Sequence, residues 1–167
     1  MLSPQQLFAR LAEMGIAHGT VEHEPVFTVE QAKQHRGVLP GHHIKNLFLR
    51  NKKEEMWLVV ALEDRAIDLK KLGEAMGAGR LSFGSPERLR TYLGVEPGSV
   101  TPFAVINDTQ HKVTLVLDSA LKEGGPINAH PLVNTMTCPI ELPGLLRFFE
   151  ATGHVPRWLD LPASVTI

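Results

Sequence analysis

The chain predicts an α+β fold: a single domain built on a mixed, largely antiparallel β-sheet flanked by helices. Three observations carry that prediction. Capped amphipathic helical segments occur near both ends and in the middle, apolar strand-like runs lie between them, and the middle of the chain lacks strict strand–helix–strand alternation. With 167 residues and 43% hydrophobic content, residues 1–167 can close one sizeable core, and the 6% aromatic content leaves aliphatic side chains to fill most of it.

Each element has a local reason. Ser3-Pro4-Gln5-Gln6 is a capping box with proline at the first helical position, followed by Leu7, Leu11 and Met14 on one stripe and Gly15 as terminator. Ile16 to Pro25 reads as extended. Thr28-Val29-Glu30-Gln31 repeats the capping signature before a short helix over 28–36 that should stop at Gly37. Lys45 to Arg50 and Met56 to Ala61 form a hairpin around the charged turn Asn51-Lys52-Lys53-Glu54-Glu55. Asp68 caps a helix carrying Leu69, Leu72 and Met76 that ends at Gly77, and Ser85-Pro86 opens another that ends near Gly94. Strands are expected over Phe103 to Asn107, Val113 to Leu117 and around Asn134 to Ile140. Pro143 then starts a helix bearing Leu145, Leu146 and Phe149, stopped by Gly153.

Composition excludes several function classes. Net charge is −1; residues 1–90 hold 13 Lys/Arg against 11 Asp/Glu and the remainder 4 against 7, so the chain is not built to coat long duplex DNA. A local grip on a nucleic-acid end is compatible with that balance. Cys138 is the only cysteine and can form no internal disulfide, and no charged-then-apolar leader opens the chain, so a cytoplasmic protein is expected. No apolar run reaches the roughly 18 to 20 residues of a membrane span.

Three segments carry residues that packing does not require. In Gly41-His42-His43-Ile44-Lys45-Asn46-Leu47-Phe48-Leu49-Arg50, alternation puts Lys45 on the face of Leu47 and Leu49, at the mouth of an apolar strand. Pro97-Gly98-Ser99-Val100-Thr101-Pro102-Phe103 is a tight loop whose successive amides can converge on an anion; such donors stabilise a developing oxyanion by roughly 3 to 4 kcal/mol each. In Asn128-Ala129-His130-Pro131, proline extends His130 and places Asn128 on the same face, and a histidine there can hydrogen-bond a carbonyl or hydroxyl or shuttle a proton.

Together with His23-Glu24-Pro25-Val26-Phe27-Thr28-Val29-Glu30-Gln31-Ala32 and Arg80-Leu81-Ser82-Phe83-Gly84-Ser85, these five ordered blocks resemble the YbaK-like, prolyl-tRNA synthetase editing-domain superfamily, and more closely its freestanding ProX branch. The resemblance covers nearly the whole chain. It implies hydrolysis of the ester joining a wrong amino acid to tRNA, with no metal and no other cofactor. Lys45, Gly98 and His130 match the catalytic positions, and Asn46, Ser99, Val100, Thr101 and Pro102 are the implied substrate contacts. Arg80 is a second candidate anchor. The implied partner is the acceptor end of mischarged proline tRNA, with prolyl-tRNA synthetase or an elongation factor as candidate further partners and neither membrane nor long duplex DNA. Because Lys45 is followed by Asn46 rather than Thr or Ser, alanine on proline tRNA is the expected substrate and cysteine on that tRNA the alternative. A non-catalytic module binding tRNA ends or amino acids is the competing class. A metal hydrolase fits poorly, since His42-His43 are adjacent and His23-Glu24-Pro25 lacks an HExxH continuation.

Overall fold

The computed structural model describes residues 1–23 and 39–161, so the helix expected over 28–36 lies outside the described residues. Helices α1 (Pro4–Glu13), α2 (Leu69–Met76), α3 (Pro86–Leu93) and α4 (Leu142–Thr152) surround strands β1 (Val21–Glu22), β2 (His42–Arg50), β3 (Met56–Leu62), β4 (Ser82–Phe83), β5 (Val113–Asp118), β6 (Ile127–Ala129), β7 (Met136–Ile140) and β8 (Arg157–Leu159). The helix ends follow their caps. Ser3 Oγ accepts from Gln6 N while Gln6 Oε1 accepts from Ser3 N, completing the capping box. Asp68 and Ser85 cap α2 and α3, and Gly77, Gly94 and Gly153 end α2, α3 and α4 in the left-handed conformation.

The strands make one mixed sheet in the order β1-β7-β6-β2-β3-β5-β8, with β4 also on β2. Pairs β1–β7, β6–β7, β2–β3 and β2–β4 are antiparallel, whereas β2–β6, β3–β5 and β5–β8 are parallel. One face of the sheet presents Phe48, Leu58, Val60, Leu115, Leu117, Ile127 and Ile140 to Leu7 and Leu11 of α1, Leu89 and Leu93 of α3, and Leu145, Phe148 and Phe149 of α4. The other face presents Leu49, Trp57, Val59, Ala61 and Val116 to Leu72 and Met76 of α2. Strand β3 is therefore covered on both sides, which explains a run with no polar alternation.

One expected strand is corrected. Residues Pro102–Asn107 form a 3₁₀ helix rather than a strand, because Thr101 caps them by accepting from Phe103 N and Pro102 supplies a helical φ at the first position. Phe103 packs edge-on against Phe148, with ring centroids 5.3 Å apart. The helix thus buries the apolar residues that gave the segment its strand-like look. Cys138 is buried in the core and its thiol is pushed up to about 12 by desolvation, consistent with packing rather than reactivity.

Candidate active site

The sheet comes apart at β2. Glu63 N donates to the His43 carbonyl at 2.8 Å, so odd-numbered residues of β2 direct their backbone polar groups toward β3 and even-numbered ones toward the opposite edge. On that edge His42 N donates to Pro126 O at the start of the strand, and Phe48 O accepts from Gly84 N near its end. Between these points Asn46, paired with Val60 on the β3 side, has no partner strand on this opposite edge among the described residues. Its side-chain Oδ1 is also buried without a hydrogen-bond partner. Among the described residues this stretch of β2 therefore presents polar groups without partners beside a paired sheet, a place where a ligand can supply them.

Register shows which side chains face this opening. His43 pairs with Asn128 across the parallel β2–β6 contact, so the two share a face; Lys45 and His130, each two positions further on, share it as well. Asn128 pairs with Pro139, which adds Thr137 to the same face, and Val21 pairs with Thr137. His23 follows: its Nε2 lies 2.8 Å from Thr137 Oγ1 and its ring 6.1 Å from that of His130. A polar band thus crosses four strands while the reverse side carries Ile127, Ala129, Cys138 and Ile140 in the core. Asn128 braces it by donating from Nδ2 to the carbonyls of Pro40 at 3.0 Å and His42 at 3.1 Å.

Lys45 lies within β2 rather than at its mouth, because pairing with β6 carries the strand back to His42. Its ammonium is half-buried, and desolvation lowers its pKa from the usual lysine value while Asp64 opposes that shift. The residue is a cation held partly out of water, suited to gripping an anion. His130 Nδ1 sits 2.9 Å from the Met136 carbonyl, a partner that can only accept, so Nδ1 carries the proton. Burial pushes the pKa of His130 down, the bond to Met136 partly offsets this, and His23 adds to the lowering. The ring is therefore held neutral, with Nε2 presenting a lone pair that has no partner among the described residues.

The Gly98–Pro102 loop reaches His130 through one hydrogen bond, from Thr101 Oγ1 to the His130 carbonyl at 2.6 Å. Gly98 and Ser99 line a 640 Å³ groove together with Leu132, Val133, Asn134 and Thr135. Ser99 N donates inward to Glu96 O and Thr101 is fully buried, which narrows the candidate oxyanion donors to the amides of Gly98 and Val100. Val100 packs against the core and Pro102 is buried at the start of its helix, so both shape the loop from within. Thr101 is fully buried with its hydroxyl occupied, a place different from the substrate contact expected of it.

Arg80 is not brought to this opening. It lines a 410 Å³ groove with Asn51, Lys52, Lys53 and Glu55 at the hairpin turn. The five residue steps from Lys45 to Arg50 span roughly 17 Å of extended strand, which sets the scale of the separation. His23, Thr137 and the Met136 carbonyl were missed as site components. Only the non-local pairing of β1 and β6 with β7 assembles them, and alternation within any one segment could not have shown it. Among the described residues no group of three His, Cys, Asp or Glu side chains is placed to hold a metal ion, and no helix is long and apolar enough to cross a membrane.

The prolyl-tRNA editing protein ProX of Acetoanaerobium sticklandii is 35% identical over 162 residues, covering 96% of this chain and 99% of that protein. Prolyl-tRNA synthetase associated domain-containing protein 1 of Bos taurus is 41% identical over 156 residues, covering 90% and 91% of the two chains. A solved structure described as a candidate trans-editing enzyme for prolyl tRNA synthetase superposes with a TM-score of 0.73 at 23% identity, over 98% of this chain and 100% of that one, a likeness of fold. Residues 23–148, which span Lys45, the Gly98–Pro102 loop and His130, match the aminoacyl-tRNA editing domain, and the chain belongs to that family of ester-hydrolysing editing enzymes.

Proposed function

We propose that this protein removes alanine from mischarged proline tRNA, working in the cytoplasm on the free acceptor end. The observation that carries the reading is the placement of Lys45 and His130 on one face, each two residues beyond the His43–Asn128 pair and beside the opening at β2. Lys45 anchors phosphate or ribose of the terminal nucleotide. The amides of Gly98 and Val100 receive the ester carbonyl as it becomes an oxyanion, and His130 Nε2 accepts a hydrogen bond from the terminal ribose hydroxyl or the attacking water.

An aminoacyl ester is already activated, so positioning with carbonyl polarisation suffices and no carboxylate pair is needed. Water oxygen bonds to the carbonyl carbon, the bond from that carbon to the ribose oxygen breaks, and a proton from the water ends on the ribose oxygen. The products are the free amino acid and tRNA with its terminal hydroxyl restored. Selection by size admits alanine and excludes proline, since steric exclusion discriminates more sharply than a missing methylene, worth about 1 to 3 kcal/mol. The names of the ProX and vertebrate relatives support proline tRNA as the nucleic-acid partner.

The test is a panel of alanine, cysteine and proline esterified to proline tRNA, each with and without chelator. Fast release of alanine, slow release of proline and indifference to chelator are expected. Release of cysteine alone moves the substrate to the neighbouring branch, and equal release of alanine and proline overturns the size argument.

A further inference from the structure

The family reading leaves open what holds His130 in place. Its ring is fixed by the Met136 carbonyl, but its backbone lies in an awkward stretch. Pro131 has no N–H to contribute, and the next residue, Leu132, adopts a left-handed backbone with φ of 70°, an uncommon conformation for a residue with a Cβ. Leu132 N donates back to the His130 carbonyl at 3.0 Å, closing a tight three-residue turn. The second donor to that carbonyl is Thr101 Oγ1 at 2.6 Å.

Thr101 is fully buried and both capacities of its hydroxyl are committed: it donates to His130 O and accepts from Phe103 N at 3.3 Å. Its hydroxyl has no proton left to donate to a substrate. The same hydroxyl is thus the cap of the 3₁₀ helix after the Gly98–Pro102 loop and the clamp on the histidine segment. Moving the loop moves His130.

We infer that Thr101 is a positioning residue, which fixes the imidazole of His130 relative to the loop amides so that the acceptor at Nε2 and the oxyanion donors are set as one unit. The inference rests on the proposed role of His130 in deacylation. A purely structural threonine would change stability alone; a positioning residue changes the rate at saturating substrate and depends on His130 for its effect.

The experiment compares Thr101→Val, Thr101→Ser, His130→Ala and the Thr101→Val/His130→Ala double variant on alanyl-tRNA. Thr101→Val keeps the shape and removes the donor, and its kcat is expected to fall about 10- to 100-fold with KM changed less than about threefold. Thr101→Ser should return to within about threefold of wild type, and the double variant should be no slower than His130→Ala alone. Imidazole nitrogen NMR should show the Nδ1-protonated form of His130 in wild type and a mixture in Thr101→Val. A folded Thr101→Val protein with kcat within twofold of wild type, a loss confined to KM, or losses that multiply in the double variant would each overturn the inference. If the valine variant does not fold, Thr101→Cys, with a weak donor in place of a strong one, takes its part, and wild-type turnover there overturns the inference equally. Wild-type turnover by His130→Ala instead overturns the reading on which the inference rests.

Discussion

Lys45 and His130 stand two residues beyond the last parallel pair of β2 and β6, His43 with Asn128, on the same face of the sheet. A cation and a neutral imidazole thereby follow a shared strand pair onto one face of the sheet. The pairing of His43 with Asn128 sets the face that each residue presents. It also makes separate predictions for the two residues.

Replacing Lys45 by Ala should lower kcat/KM by about 100-fold or more and leave thermal stability within about 2 °C of wild type. The ammonium is held partly out of water, which is unfavourable to the charged form, so the fold gains nothing from the charge. Lys45→Met, which keeps the apolar stem, should be equally inactive and at least as stable. Retained turnover on the best substrate would end the anchoring role.

The activity should follow neutral His130. Its folded pKa lies below the ordinary histidine value through burial, so the rate should stay flat from pH 8 down through roughly 6.5 and fall only at lower pH. The linked stability has the same sign: the unfolded chain takes up the proton first, so stability declines as pH drops from the ordinary value toward the lowered one. A pH–rate profile of wild type against His130→Ala checks this, and an acid limb that survives in the variant belongs to another group.

Arg80→Ala should raise KM and leave the saturating single-turnover rate unchanged. Arg80 shares its groove with Lys52 and Lys53 at the far end of β2, a cationic strip suited to phosphate and remote from the reacting ester. Binding should also lose about one unit of salt dependence in a log–log plot. A fall in the saturating rate would bring Arg80 back to the chemistry.

Asp108→Asn should destabilise the fold by about 2 to 4 kcal/mol while activity per folded molecule is kept. Asp108 is buried and accepts from Lys112 N, Val113 N and His154 Nε2 at 2.9 to 3.0 Å. Burial pushes its carboxyl up, yet the bonds from His154, Val113 and Lys112 outweigh this and hold it below the usual aspartate range. The stability it contributes is present above the unfolded aspartate value and is lost as pH falls through the folded one. Urea unfolding at neutral and acid pH should therefore show the gap between wild type and variant closing on acidification.

Local chemistry made the helices and the central hairpin legible. Ser3, Asp68 and Ser85 announced their helices, Gly77, Gly94 and Gly153 ended theirs, and Lys45 to Arg50 paired with Met56 to Ala61 as the charged turn implied. What stayed hidden was non-local. Phe103 to Asn107 looked like a strand because apolar composition does not reveal a buried 3₁₀ helix, and Thr101 looked like a ligand contact because its acceptor belongs to a segment 29 positions away. The gap beside Asn46 is a property of three strands at once, so no single stretch of sequence could display it.

That dependence on distant pairing has a kinetic consequence. Asn128 holds the site side of the sheet by donating to His42, 86 positions earlier in the chain, and β2–β6 is a parallel pair whose closure must await the intervening strands. Loop-closure entropy makes such contacts late in folding, after the local β2–β3 hairpin and the capped helices. Hydrolytic competence should therefore arrive last on the ribosome, once β6 and β7 have emerged, and a nascent chain carrying Lys45 alone will meet charged tRNA with no means of cleaving it.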